Sequence, residues 1–511
     1  TRCDFSRVYP AVKISAIDSM DHLVRIFMDN YDGYDVEEDD PDLISLIELV
    51  NRHTYTIELL AQHMENSGQT AKEMQQALKK EGIISLNETV RQTDATTKVA
   101  YENLLKMFKV FSLSLEEQAV LRYLSLMPLG GFPVKEFRDW AGLDSYKLIK
   151  GLEARSWVTV NTDGIALHPI IREVVRHELP ADLENCHDFL ERILERILET
   201  NSWHFTMVER EKYAAVATEL VGHFTEITEE TIDLYRKVET LFSFSVKPQE
   251  AITLAKRIYE YYKKTEGEIA YNTGWAAFKI GWAYHFNSRL ENAFENARIW
   301  LEKAYEIWNQ VDMDTAAKNA FLGQMLGNLS RVLLLRNEET GDPKDVEDAK
   351  KYAELGLEVN AKWLKPGDPS YTKVAGGYIQ MADVYIALKE YEKAMKMIDD
   401  AYDILFPLYG EEDSDTLYVL SRKERILFGM GNYEETAQLG ETVTRLYDLF
   451  CSELHYPRYE HLLLLLKCYV KLGRKEDAER LYQYLCGIAK QLFDEGAIQW
   501  QRLHEAWEAG R

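Results

Sequence analysis

The sequence predicts a predominantly all-α chain that ends in an array of repeated helix pairs, and three observations predict it. Proline is 12 of 511 residues, less than half the usual ~5%, while Leu, Ala, Glu and Lys abound, so most of the chain is free to be helical. Apolar residues recur at helical spacing over long stretches, as in Leu43, Leu46, Ile47, Val50, Ile57, Leu60 and Ala61. The C-terminal half also repeats small and aromatic residues at a fixed step of forty-two positions.

Composition bounds the function. An apolar share of 46% and a charged share of 28% are those of a folding chain. The formal charge of −25 opposes a nucleic acid or an anionic bilayer as the main partner. The longest greasy run, Leu462 to Leu466, stops at Lys467, and the N-terminus lacks a signal-like basic and apolar pair of regions, so no membrane partner is expected. Cys3, Cys186, Cys451, Cys468 and Cys486 form no Cys-x-x-Cys pair, which argues against a zinc clip and suits a reducing, cytoplasmic setting.

In chain order, Thr1-Arg2-Cys3-Asp4 begins without methionine or a capped helix, which reads as a truncated start, and residues 8–17 alternate weakly like the end of a sheet region. The acidic stretch over residues 29–40 lacks the order of a calcium loop and its closing bidentate Glu, so it reads as a solvated loop. Residues 41–64 read as two short helices interrupted at His53-Thr54. Ser114 with Glu117 forms a capping box, followed by a helix with Ala119, Val120, Tyr123 and Leu124 on its buried face. A second helix spans 134–140, a third, capped by Asp144, spans 145–152, and Trp157-Val158-Thr159-Val160 with Ile165-Ala166-Leu167 flank Asn161-Thr162-Asp163-Gly164 as a hairpin. A last helix follows His168-Pro169. Three helices, a hairpin and a helix is the order of a winged helix. Its third helix carries Lys147 and Lys150, with Arg155 just after it; three cations in so acidic a chain favour protein packing over DNA reading.

The array begins beyond it. Gln380-Met381-Ala382-Asp383-Val384-Tyr385, Glu390-Tyr391-Glu392-Lys393-Ala394, Ile398 and Ala401 match a tetratricopeptide pair. Asn432-Tyr433-Glu434-Glu435-Thr436 and Arg474-Lys475-Glu476-Asp477-Ala478 follow at forty-two-residue steps. Gly281, Tyr284, Ala293 and Ala297 fit the same template, Gln249-Glu250-Ala251 lies forty-two before Glu291-Asn292-Ala293, and a unit around Ala349 and Ala353 carries an insertion at 337–345. About six pairs result. Small residues let the two helices of a pair approach, while tyrosines fill the space between pairs, and such units bury their faces only by stacking. In this register the inner surface carries Trp275, Lys279, Trp282, Gln380, Asp383, Arg422, Arg425 and Lys467. Its mixture of aromatic and cationic groups suits an acidic or aromatic-bearing peptide or protein.

A winged helix ending in Leu167-His168-Pro169 and followed by tetratricopeptide-like repeats resembles the C-terminal part of signal-transducing STAND P-loop ATPases of the NB-ARC type. Thr1-Arg2 resembles the end of the sensor-one strand, Arg25-Ile26-Phe27 a motif of the small helical subdomain, and Thr54 stands where that family has a proline packing on adenine. The resemblance divides the chain into 1–110 (small helical subdomain), 111–180 (winged helix) and 181–511 (sensor array). It implies that Arg2 and His168 face ADP phosphates in an intact parent and Thr54 the adenine side, with the array binding a peptide or protein trigger and activation forming a homo-oligomer. An imidazole at position 168 serves equally as a hydrogen-bonded packing group. No Gly-x-x-x-x-Gly-Lys-Ser/Thr occurs, so this chain alone is expected to be no enzyme, with no catalytic residues and no bound ADP, ATP or metal of its own; the P-loop half is expected upstream. The alternatives are a winged-helix transcription regulator with peptide-sensing repeats and a plain tetratricopeptide scaffold.

Overall fold

Helix-permitting composition becomes a chain of helices with a single described two-stranded sheet in a computed structural model. The structure describes residues 19–31, 33, 36–49, 52, 54–67, 70–80, 113–155, 157–167, 169–197, 199–244, 247–286, 292–312, 315–368, 370–493 and 497–509. Two compact units divide after Ile193.

In the first unit, α1 (Met20–Met28), α2 (Pro41–Leu49), α3 (Thr54–Ser67) and α4 (Ala71–Lys80) bury Leu23, Phe27, Leu46, Ile57, Leu60 and Met64 in one apolar cluster. The acidic link between α1 and α2 is anchored by Tyr31 and Val36, both buried in that cluster, while Asp29, Glu37, Glu38 and Asp39 are exposed.

Further along, α5 (Leu115–Ser125) starts in the expected capping box: Glu117 N donates to Ser114 Oγ and Ser114 N to Glu117 Oε2. α6 (Val134–Trp140) and α7 (Lys147–Glu153) follow, then β1 (Thr159–Asn161) and β2 (Gly164–Ala166), paired antiparallel with Val160 opposite Ile165, and α8 (Pro169–Glu178). Asp144 does not cap α7; Tyr146 holds that position without a side-chain bond. Phe132 bridges Ile165 as a short third rung, and Gly164 makes the approach possible, because a Cβ there would lie 2.0 Å from the Phe132 carbonyl. Arg172 Nε and Arg176 Nη2 both donate to Ser125 O at 3.0 Å, so two cations close the C-terminus of α5. α9 (His187–Arg196) begins in this unit: Phe189 stacks on Tyr123 at 4.5 Å and Arg192 Nη1 donates to Trp140 O. Residues 181–193, grouped with the array by the resemblance, therefore pack with the preceding helices.

The second unit is an α-solenoid of tetratricopeptide-like pairs. α10 (Glu199–His204) and α11 (Met207–His223) lead into α12 (Ile232–Phe244) with α13 (Pro248–Thr265), α14 (Tyr271–Phe286) with α15 (Ala293–Gln310), α16 (Ala316–Thr340) with α17 (Pro343–Trp363), α18 (Thr372–Ala387) with α19 (Tyr391–Tyr409), α20 (Ser414–Met430) with α21 (Tyr433–Phe450), α22 (Tyr456–Lys471) with α23 (Lys475–Leu492), and a closing α24 (Ile498–Glu508). First helices begin at Thr372, Ser414, Tyr456 and Ile498, forty-two residues apart. Upstream the step lengthens: α13 and α15 start forty-five residues apart, and much of the expected insertion at 337–345 is helical, extending α16 to 25 residues.

Close approach within a pair depends on small residues. A Cβ on Gly281 would meet Leu301 Cγ at 2.8 Å, and one on Gly356 would meet Gly323 O at 3.0 Å. The first helices also pack against one another in succession, α14 on α16, α16 on α18, α18 on α20, which makes them the inner, tighter row of the stack.

Candidate ligand-binding face of the repeat array

The inner row carries charged side chains at equivalent places on successive helices, and they meet across neighbouring pairs. On α12 and α14, Glu239 and Lys279 form an ion pair at 3.0 Å with 0% and 1% of their side chains exposed. Lys279 Nζ also donates to Thr240 Oγ1 and lies 4.3 Å from the Trp282 ring centre. Trp275 is fully buried, with the Arg236 guanidinium 4.1 Å over its ring. Of the expected surface trio on α14, only Trp282 is partly exposed; Trp275 and Lys279 are core.

The next cluster spans four helices. Asp383 on α18 accepts from Arg331 Nη1 (α16) at 3.0 Å and from Arg422 Nε and Nη2 (α20) at 3.1 and 3.3 Å. Arg331 Nε donates to His285 Nε2 on α14; burial and the Arg331 charge drive that imidazole down to about 3, so it stays neutral. Tyr418 lies under both guanidiniums, 3.7 Å from Arg422 and 5.3 Å from Arg331. Burial holds its phenol up at about 12, so it contributes a ring face and no charge. Arg425, 48% exposed, stands 3.7 Å from Glu338, whose carboxyl burial raises. Arg425 acts on both the Asp383 and the Lys467 charges. The half-buried Lys467 ammonium is lowered by burial and by Arg502 and Arg425, and Arg502 itself donates to Glu460. Arg331, Arg422 and Arg425 thus face two carboxylates, Asp383 and Glu338. Gln380 lies beside this cluster, partly exposed, against Gly327.

The sequence puts Asp383, Arg422, Arg425 and Lys467 on the exposed inner surface, but Asp383 and Arg422 are buried by their mutual pairing, and it does not single out Glu239, His285, Arg331, Glu338 and Tyr418. Their signal is a charge or ring on one first helix answered about one repeat later. Nor does the sequence single out His461, whose Nδ1 donates to Glu424 Oε2 at 2.7 Å while its other nitrogen meets Thr444 Oγ1 at 2.8 Å. Both His461 and Glu424 are buried, which makes this a pin between α20, α21 and α22.

A short helix reaches the same face from far away in sequence. Trp203 Nε1 on α10 donates to Asp415 Oδ1 at 2.5 Å, His204 Nδ1 to Asp413 Oδ2 at 2.7 Å, and Ser414 Oγ to Trp203 O at 2.8 Å. The Trp203 ring sits edge-on to Tyr418 at 6.1 Å and tilted against Phe244 at 5.0 Å. Beside it the buried Arg210 donates to Ser202 O and Trp203 O at the end of α10, to Phe244 O at the end of α12 and to Phe450 O at the end of α21. One guanidinium so closes three helix C-termini, whose partial negative charges stand in for a carboxylate.

Two surface cavities lie elsewhere in this unit: one of about 540 Å³ around Ile227, Gln249, Arg257 and Tyr261, and one of about 390 Å³ around Asn292, Glu295 and Arg336. In the second, Arg336 is already bound to Asp345 and Glu295. Among the described residues no helix is long and apolar enough to cross a membrane. Arg2 and His168 lie outside the described residues. Thr54, the first residue of α3, is partly exposed.

No family model matches the sequence, and no curated protein does. Solved structures similar to it include the STAND protein with a tetratricopeptide repeat sensor from Pyrococcus horikoshii, 14% identical, covering 96% of this chain and 72% of that one at a TM-score of 0.37. A Rap protein complexed with competence and sporulation factor is 14% identical over 61% of this chain and 79% of its own, at 0.41. A kinesin light chain repeat protein from Podospora anserina is 17% identical over 43% and 97%, at 0.32.

Proposed function

We propose that the repeat array is a ligand-sensing module whose inner face binds a peptide or protein segment through its acidic groups. The observation that carries this is the surplus of cations around Asp383. Arg331 and Arg422 share the one carboxylate of Asp383 and Arg425 stands beside Glu338, both carboxyls raised by burial, in a chain whose formal charge is −25. A partly buried cation lacking a full counter-charge is costly, and an incoming carboxylate offsets that cost. Tyr418 and Trp282 add ring faces against which an apolar side chain of the ligand can pack.

In the wider reading, the chain is the regulatory part of an NB-ARC-type STAND switch and the module after α4 is its winged helix. The order of three helices, hairpin and helix supports that reading. Its nucleotide contacts rest on Arg2 and His168, so no nucleotide step is built on the described residues. The alternative, DNA reading by α7, has less to work with than the sequence suggests, because Arg155 is taken up by Glu117 and leaves the exposed Lys147 and Lys150.

The test is retention of three pools of short immobilised peptides, acidic, neutral and basic, at low salt. The acidic pool is expected to bind at least tenfold better, and Arg425→Gln to remove most of that advantage. Equal retention of the three pools, or preference for the basic one, rejects the reading.

A further inference from the structure

α10 is a six-residue helix with two connections. α9 ends at Arg196, three positions before it begins, and α9 is the helix whose Phe189 and Arg192 are bound to Tyr123 and Trp140 of the first unit. At its other end Trp203 and His204 are held by Asp413, Ser414 and Asp415, more than 200 positions later in the chain. That docking point is not a separate surface. The Tyr418 ring that meets Trp203 is the same ring that lies under Arg331 and Arg422.

We propose that α10 is a releasable strap on the ligand face: Trp203 and His204 dock against the start of α20 while the guanidinium cluster is empty, and ligand bound to that cluster dislodges them by moving Tyr418. This rests on the reading of the inner face as the ligand face, and adds how occupancy there is passed to α9.

The strap is held to the start of α20 by three hydrogen bonds and by the ring contact of Trp203 with Tyr418, a small set that local opening can break, while Arg210 holds its last carbonyls on the other side. The contacts to α20 are also linked to protons. The groups facing His204 are Asp413 and Asp415 from α20 and the residue before it, Tyr409 from α19, and Arg210 from α11. Burial opposes the charged imidazole, but the Asp413 hydrogen bond and the charges of Asp413 and Asp415 outweigh it and raise the group above its usual value, while Arg210 pulls the other way. Burial raises Asp415 to about 6, against the lowering effect of His204 and of the Trp203 hydrogen bond. His204 therefore holds its proton more tightly when docked than when free, while its charge and the Trp203 donor hold Asp415 below what burial alone would set. Docking is favoured where the imidazole is protonated and weakens as pH rises through the raised histidine value.

Amide hydrogen exchange on the full chain tests this with two readouts, segment 199–206 and, as internal reference, α11. Between pH 6 and pH 8 the segment should exchange about tenfold faster than intrinsic base catalysis accounts for, with α11 following intrinsic chemistry alone. In the double variant His204→Gln with Asp415→Asn the excess should vanish, and in Trp203→Phe, which keeps the ring and loses the donor, the segment should be loose at both pH values. Adding the acidic peptide pool at pH 6 should loosen the same segment. Purely intrinsic exchange of 199–206 in the unmutated chain, or an excess that survives in the double variant, overturns the strap. Binding of the acidic pool with α10 protection unchanged overturns the displacement. If the pool fails to bind while the pH-dependent loosening is present, the strap stands and the peptide reading of the face falls.

Discussion

At Lys279 an ammonium and the Glu239 carboxylate are removed from water almost completely, and each depends on the other. Replacing Lys279 with Met removes the cation facing the buried Glu239 carboxylate, which also accepts from Thr240 and Ser243. The expected cost is about 3–5 kcal/mol, read as a fall in the urea midpoint. The double variant Lys279→Met with Glu239→Gln should recover most of it, since no charge is then stranded; equal loss in single and double variants would assign the effect to packing. The residues at stake show what periodicity conveys. The helical register puts Lys279 on the inner row, and there it is. It does not say that Glu239, forty positions earlier, sits opposite, and without the partner a lysine on that row reads as a ligand-facing cation.

The hairpins of the array turn on one backbone position. Gly431 and Gly473 hold φ at +87° and +70° after α20 and α22, and Lys389, forty-two residues before Gly431, holds 59° after α18. A left-handed conformation costs a non-glycine residue about 1–2 kcal/mol, of which the extra chain entropy of glycine offsets roughly 0.5–1 kcal/mol. Lys389→Gly is therefore expected to raise stability by about 0.5–1 kcal/mol, measured as a shift in thermal midpoint; a fall would mean the Lys389 side chain supports the turn. The forty-two-residue step was legible over this region because each turn and each small crossing residue recurs in register. It was not legible upstream, where α16 takes up 337–340 as about one more helical turn and α17 starts at Pro343: a sequence insertion between two amphipathic stretches looks the same whether it loops out or prolongs the helix.

A stack of helix pairs usually loses cooperativity with length, because each pair touches only its neighbours. Arg210 is a contact that breaks this rule. It ties the end of α10 and of α12 to Phe450 at the end of α21, 240 positions away, so the early and late pairs of the second unit share one guanidinium. Nothing in the sequence signals that contact: the acceptors are backbone carbonyls, which any residue supplies, and only the closing of three helix ends on one point reveals it. Arg210→Met fills similar volume but takes the guanidinium donor away from four carbonyls, of which Trp203 O keeps Ser414 Oγ, at about 3 kcal/mol in total. Its larger effect should be on cooperativity. The unmutated second unit is expected to unfold in one denaturant transition, with exchange protection lost together in α12 and α21. Arg210→Met should separate them, α12 losing protection at lower denaturant than α21, with a shallower overall slope. A single, merely shifted transition with unchanged slope would show that neighbour packing alone couples the array and that Arg210 is a local cap.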